Sequence, residues 1–455
     1  MSALAPVTTT ETTVFGRDEA CAFVRSALSR APLGLRALSV PVPTGRPLAL
    51  LERALRAHAF YVQDETRTLT TLGATRLARP SGRDRFEQAA EAFERARATL
   101  RVDALDPTLH APPVWTFGFA FAPGRTDDLW RPLGDGQLTL PRWTHRVEHG
   151  RASLTLVVDR DEPSGAQLAL AELEAIWDAL ESRAHESPVV SATARHVDRD
   201  RWTRTLDDAL ARIDVGELEK VVVARRSTIT GERDLDPIGA LTRLRRPGAI
   251  RFCARHAGVT FVGATPERLF HKRGGRVRTE AVAGTSSVEL DPHGAQLLES
   301  EKDRHEHRFV VDAIRRRLER TGGSVSIGAT SVRTIGSVAH LVTPIDARVA
   351  PGIDAFDLLA ALHPTPAVGG VPREGALAWI DAHEPDRGWY AGPIGWIDAN
   401  GDADAFVALR SAIVSGSRAQ AYAGCGVVRG SSADAEYAET ALKLAPMLAA
   451  LGVAP

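Results

Sequence analysis

Two rows of charged residues in the second half of the chain have helical spacing and the donor types that hold a hard cation. Glu299, Lys302, Asp303 and Glu306 stand at i, i+3, i+4 and i+7, and Glu436, Glu439 and Lys443 at i, i+3 and i+7. Each set therefore shares one helical face. A carboxylate from each of two facing helices suits Mg2+, which takes oxygen ligands and keeps several waters. Taken singly, such a row is also the pattern of a solvated, salt-bridged face.

The lysines sharpen the question. Only four of the 56 basic residues are lysine, at positions 220, 272, 302 and 443. Arginine stays protonated in proteins, whereas a desolvated lysine amine can lose its proton and act as a base. Lys272, in His271-Lys272-Arg273-Gly274-Gly275, reads as part of an exposed hairpin turn. Lys220, Lys302 and Lys443 are left as positions where lysine does what arginine cannot.

Other motifs narrow the chemistry. His305-Glu306-His307 lacks the spacing that puts two imidazoles on one helical face, which argues against a zinc protease. Gly424-Cys425-Gly426-Val427-Val428-Arg429-Gly430 departs from the dinucleotide fingerprint, although backbone amides exposed by small residues there suit a carboxylate. Neither a phosphate-binding GxxxxGK[ST] loop nor a GxSxG nucleophile elbow occurs.

These residues need elements to hold them. Trp202, Leu206, Leu210 and Ile213 mark an amphipathic helix stopped by Gly216. Strand patterns follow over 219–229, with Lys220 at the start, and over 250–255 and 259–262. A long helix is expected over 295–320 with Leu298, Val310, Ile314 and Leu318 inward. Late strands are expected over 390–397, 405–414 and 419–428, and a last helix over 433–451. Upstream, 84–100 reads as helix and 116–121 and 152–158 as strands. The polar stretch 181–200 divides an N-terminal scaffold, 1–195, from a catalytic region, 196–455. Strands and helices without a βαβ rhythm indicate an α+β fold built on large antiparallel sheets.

Composition sets the outer limits. With 44% hydrophobic and 25% charged residues the chain can bury a large core, and a net charge of −1 argues against a nucleic-acid partner despite the arginine. Residues 1–17 lack a basic start followed by an apolar run, and no apolar stretch is long enough to span a membrane. The lone Asn400 precedes Gly-Asp, so no glycosylation sequon exists, and Cys21, Cys253 and Cys425 have no metal-binding spacing. A reduced, cytoplasmic setting is expected.

Across Trp202 to Leu451 the chain resembles the chorismate-utilising enzymes, a family that includes isochorismate, salicylate, anthranilate and aminodeoxychorismate synthases. The resemblance rests on ordered motifs: EKVVVAR at 219–225, GATPERL at 263–269, AGT at 283–285, EKDRHEH at 301–307, GSVAH at 336–340, HPTPA at 363–367, WYAG at 389–392 and GCGVV at 424–428. In the first half, Phe60-Tyr61-Val62-Gln63 and Leu129-Trp130 look similar to the family's N-terminal region. The implied fold is that of anthranilate synthase component I, a two-layered antiparallel sheet core flanked by helices. Members that add ammonia lack a lysine at the position of Lys220 and those that add water carry one, in keeping with water's need for a base. The segment HPTPAVGG, 363–370, resembles isochorismate synthases, with salicylate synthases as the alternative and a non-catalytic chorismate-binding relative behind them.

The resemblance implies a Mg2+-dependent isomerase feeding menaquinone or siderophore synthesis, acting as a monomer without a glutaminase subunit. Lys220 would be the base for water and Glu267 the acid for the leaving hydroxyl. His340 would lie near the ring, and Glu306 and Glu439 would hold Mg2+, with Asp303 and Glu436 behind them. Gly284, Thr285 and Lys443 would serve the ring carboxylate. Tyr390, Arg410 and the amide of Gly426 would clamp the enolpyruvyl carboxylate of chorismate, and Gly424 would also bind the substrate.

Overall fold

The strand Val259–Thr265 shows why the sheets here carry near-continuous apolar runs. All its residues are buried. Val259 and Phe261 enter the main apolar core, whereas Val262 on the other face packs with Ile238 and Leu241 of a covering helix. A strand covered on both sides has no solvent face on which to place polar residues.

The structure is a computed structural model that describes residues 16–30, 34–53, 58–104, 112–124, 127–161, 165–183, 188–335 and 338–454. Gly336 and Ser337 of the GSVAH motif, and the start of the 1–17 segment, lie outside the described residues.

Two large sheets dominate. The first has thirteen described strands; its path runs Ala192–Arg195, Lys220–Gly231, Arg418–Val427, Ser411–Ser415, Val259–Thr265 and Ile250–His256. It continues through Ala59–Gln63, Arg67–Leu72, Trp143–Glu148, Arg151–Asp159, Leu35–Val42 and Arg101–Ala104, and Gly370–Val371 pairs beside Lys220. The second has ten, with Val338–Arg348, Arg276–Ser287, Arg268–Arg273, Ala403–Val407, Pro393–Asp398 and Val114–Phe119 in sequence across it. Neighbours within both sheets are antiparallel, except Leu35–Val42 against Arg101–Ala104. The fold is α+β, as the sequence pattern indicates. In both sheets a block of strands from before residue 195 joins a block from after it, with Arg251 opposite Gln63 at the junction in the first and Ile394 opposite Gly118 in the second. Phe252, Phe261 and Trp130 share one apolar core with Phe117, Phe119 and Phe406.

Several local expectations need correction. The long helix is two helices, Ala295–Glu299 and Glu301–Glu319, because Ser300 leaves helical geometry and caps the second by accepting from the Asp303 amide. Leu297 is buried in place of Leu298, which is 41% exposed. The strand expected over 405–414 is two strands in different sheets, separated by a corner at Arg410. Tyr390 precedes its strand, which begins at Pro393. Lys272 is buried, 7% exposed, in the strand before the turn, where its Nζ donates to the Gly401 carbonyl at 3.2 Å. The 181–200 stretch also contains the strand Ala192–Arg195, paired with the end of Lys220–Gly231. No helix among the described residues is long and apolar enough to cross a membrane.

Candidate active site

Two of the chain's crossings between the sheets are stitched together. Val259–Thr265 of the first sheet passes through Pro266-Glu267 into Arg268–Arg273 of the second, and Ala403–Val407 returns through Ala408-Leu409-Arg410 to Ser411–Ser415. The Thr265 hydroxyl donates to the Val407 carbonyl at 2.6 Å and accepts from the Glu267 amide at 3.1 Å. The Val407 amide donates to the Glu267 carbonyl at 3.1 Å. Arg410 sits at φ +49°, a left-handed conformation in which a side chain other than glycine is uncommon. Two sheets that diverge at a corner leave a space there, and Glu267 and Arg410 line it.

Burial at this corner changes the carboxyl. The Glu267 side chain is pushed up to about 8, chiefly by burial and then by the charge of Glu280, against the opposing pull of Lys220 and Lys443. It therefore stays largely protonated at neutral pH. His340, on the strand Val338–Arg348, is lowered to about 3 by burial and by Lys443 and Arg410, so it is a neutral imidazole. Its Nδ1 lies 3.2 Å from the Gly284 carbonyl and 3.1 Å from the Thr285 hydroxyl, and its buried Nε2 has no partner. With the proton on Nδ1, Nε2 is a bare acceptor in the cavity wall. Gly284 itself has φ +77° in a bulge between Ala283 and Thr285, and a Cβ there would come within 3.1 Å of Asp303.

The opposite wall is made by the helices Glu301–Glu319 and Ala433–Ala450 and by the strands they cover. Lys220, only 1% exposed, donates from Nζ to Glu306 Oε1 at 2.8 Å. A Cβ on Gly426 would fall 2.4 Å from that same oxygen and 2.9 Å from Lys220 Cε, so glycine is required for the pair to lie against the strand. Lys443 donates to the Gly424 carbonyl at 3.0 Å and pairs with Glu439. Lys302 reaches Glu436 at 3.5 Å from one helix to the other. Burial raises both Asp303 and Glu436 above the usual carboxylate range. The Tyr390 ring stacks on Tyr422, with centroids 5.1 Å apart, and burial raises its hydroxyl.

All fourteen residues to which the resemblance assigns a place in the site line this one cavity of about 290 Å3. The match to the profile described as "Chorismate binding enzyme" covers residues 23–452, nearly the whole chain. The chain belongs to that family. A relative named salicylate biosynthesis isochorismate synthase, from Pseudomonas aeruginosa, is 37% identical over 79% of this chain and 79% of its own. Isochorismate synthase MenF of Bacillus subtilis is 32% identical over 86% of this chain and 88% of its own. Among solved structures, MenF of Escherichia coli, described as the menaquinone-specific isochorismate synthase, aligns with a TM-score of 0.80 at 27% identity, covering 95% of this chain and 99% of that one. Anthranilate synthase component I of Streptococcus pneumoniae, at 20% identity and TM-score 0.62, shares the fold.

The cavity of this chorismate-binding enzyme also holds residues that the sequence reading passed over. Tyr422 is the clearest. It sits two and four residues before Gly424 and Gly426 on one strand, so a period-two reading of that motif would have found it. Its hydroxyl accepts from Trp130 Nε1 at 3.0 Å and donates to Gln420 at 2.7 Å, which ties the N-terminal region to the site. Ala367 and Val368 of HPTPAVGG also line the cavity, and the Gly369 carbonyl accepts from the Val222 amide at 2.8 Å. Glu299, grouped with Lys302 by spacing, belongs to the separate short helix and is absent from the lining.

Proposed function

We propose that this protein is an isochorismate synthase: an isomerase that converts chorismate to isochorismate. The observation that carries the reading is the pair of unlike groups in one cavity, a buried lysine amine and a buried neutral carboxyl. Water adds at C2 of the ring as Lys220, which must first surrender the ammonium proton it shares with Glu306, takes the proton of that water. The double bonds shift, and the C4 hydroxyl departs as water with the proton of Glu267. One water enters and one leaves, so product and substrate are isomers. His340 Nε2 and Thr285 offer polar contacts to the ring face. Tyr390, Arg410 and the Gly426 backbone would receive the enolpyruvyl carboxylate, for which a guanidinium fork is well shaped. Gly284, Gly424 and Lys443 would support the second carboxylate.

Mg2+ belongs to the proposal. Among the described residues no three His, Cys, Asp or Glu side chains converge as a metal cage. An ion that keeps its waters needs fewer protein ligands, and Glu306 and Glu439 project from the two helices as such a pair, backed by Asp303 and Glu436. With Glu267 neutral, Lys220, Lys302, Arg410 and Lys443 face the carboxylates of Asp303, Glu306, Glu436 and Glu439 in equal number. A dianionic substrate then lacks a counter-charge, and a divalent cation would supply it. When bound, the ion would neutralise the ring carboxylate. Glu306 Oε1 already holds the Lys220 ammonium, so an ion at Glu306 would share that carboxylate with the lysine. A cytoplasmic monomer working without a glutaminase subunit, and a product used for menaquinone or siderophore synthesis, complete the proposal.

Purified protein incubated with chorismate and Mg2+ should yield isochorismate by chromatography, approaching a fixed ratio with chorismate. A lactate-dehydrogenase-coupled assay should show background pyruvate. Stoichiometric pyruvate and salicylate would replace this reading with salicylate synthase, and no product at all would leave a chorismate-binding relative.

A further inference from the structure

Behind Glu267 lies a second cavity, of about 680 Å3, and Pro266 forms part of the wall of both. Glu280 lines the second cavity from the strand Arg276–Ser287, whose next residues, Val282 to Thr285, line the first. The Thr279 hydroxyl donates to the Leu269 carbonyl at 2.6 Å, which fastens this stretch two residues from Glu267. Arg333 grips Glu280 with two parallel bonds of 2.6 and 2.7 Å. The Glu280 side chain is 17% exposed and that of Arg333 41%, so the carboxylate faces the protein and the guanidinium faces solvent. Of the other titratable groups lining this cavity, Arg268 pairs with Asp64 at 2.9 Å, Arg278 with Asp346 at 3.0 Å and His271 with Asp404 at 2.7 Å, and Glu65 completes the set.

We propose that Glu280, clamped by Arg333 in the second cavity, is a positioning residue that acts on the reaction through Glu267. The inference rests on the reading of Glu267 as the general acid. The charges that act on Glu267 come from three elements: Glu280 from its strand, Lys220 from the strand Lys220–Gly231, and Lys443 from the last helix. The two lysines favour the ionised carboxyl and Glu280 opposes them. The ion pair is a fixed dipole whose carboxylate end is the more buried of the two. Arg333 holds Glu280 in place and limits how far its charge reaches.

The dipole gives the test its sign. Glu280→Gln removes the negative end and leaves Arg333 uncompensated, so the alkaline limb of kcat/KM, read against pH, should move to lower pH by about half a unit. That is about a threefold loss on the limb, with little change on the acid side. Arg333→Gln exposes the Glu280 charge and should move the same limb upward. Arg333→Lys should restore the wild-type profile. Loss of packing would lower activity in both variants without separating their limbs in opposite directions. The carboxylic-acid carbonyl band of Glu267, identified by its loss in Glu267→Gln, gives a second reading by infrared titration that needs no turnover. It should shift in the same two directions. Limbs or bands that stay within about 0.2 unit of wild type, or that move the same way, overturn the proposal. If Glu267→Gln keeps full activity, the general-acid reading itself fails, and the two failures are thereby distinguished.

Discussion

The two walls of the cavity solve the problem of buried polarity in opposite ways. On the sheet-crossing wall, Glu267 is neutralised by its surroundings, His340 is held uncharged with a free Nε2, and Arg410 forms no ion pair among the described residues. On the helix wall, Lys220 holds Glu306, Lys443 holds Glu439 and Lys302 reaches Glu436. A group left without a charged partner is available to a ligand at once, whereas a paired group must first exchange its partner. In the proposed reading the sheet wall receives the substrate and supplies the proton, and the helix wall takes a cation on its carboxylates. A buried ion pair contributes little net stability, yet removing one partner is costly because the other charge stays buried.

The largest expected effects remove the unlike pair itself. Lys220→Arg keeps a positive charge but cannot serve as a base, and Glu267→Gln keeps shape but cannot donate a carboxyl proton. Each should lower kcat by about 10²- to 10⁴-fold while chorismate binding, measured by calorimetry, survives. Near-normal turnover in either variant would dissolve the distinction between the walls.

The helix wall should respond through the ion. Glu306→Gln and Glu439→Gln should each raise the Mg2+ concentration needed for half-maximal rate by about tenfold or more. The double variant should cost less than the two singles combined, since both act at one site. Full activity in the presence of EDTA would sink this prediction. Glu306→Gln also leaves the Lys220 ammonium without its partner, so its effect on kcat should exceed that of Glu439→Gln.

A pH profile reads the sheet wall. Activity needs Glu267 protonated, so kcat/KM should fall as pH rises through about 8. His340, lowered to about 3, should contribute no inflection between mild acid and that limb. A limb that survives in Glu267→Gln would assign it to another group.

Smaller effects concern the supports of each wall. Thr265→Val removes the hydroxyl that joins the two crossings and leaves the buried Glu267 amide unsatisfied, at a cost of about 1–3 kcal/mol in urea unfolding. Ser300→Ala removes the cap of the helix that carries Lys302, Asp303 and Glu306, for about 1 kcal/mol. A larger loss from Ser300 than from Thr265 would reverse this ranking of the two supports.

The residues that carry the chemistry were readable because their constraints are local. Helical spacing placed Lys302, Asp303 and Glu306 on one face, and Glu436, Glu439 and Lys443 on another, before any contact was known. The ordered motifs gave the family and with it the α+β sheets. Period-two alternation could have added Tyr422, whose place follows from Gly424 and Gly426. What the sequence could not decide were relations between segments far apart in the chain. The run 405–414 is uniformly strand-like, and only its partners, Arg268–Arg273 in one sheet and Val259–Thr265 in the other, show that it turns at Arg410. Leu297 and Leu298 have the same hydrophobicity. Which is buried depends on where Ser300 breaks the helix and on the Ala339 and Leu341 side chains that await it. Lys220 lies 86 positions from Glu306, and no periodicity reaches across that interval to reveal that the proposed base and the proposed metal ligand are joined. Charge and protonation at Glu267 likewise come from burial at a corner between sheets, because the energy of an ionised group is set by its three-dimensional surroundings and not by its neighbours in the chain.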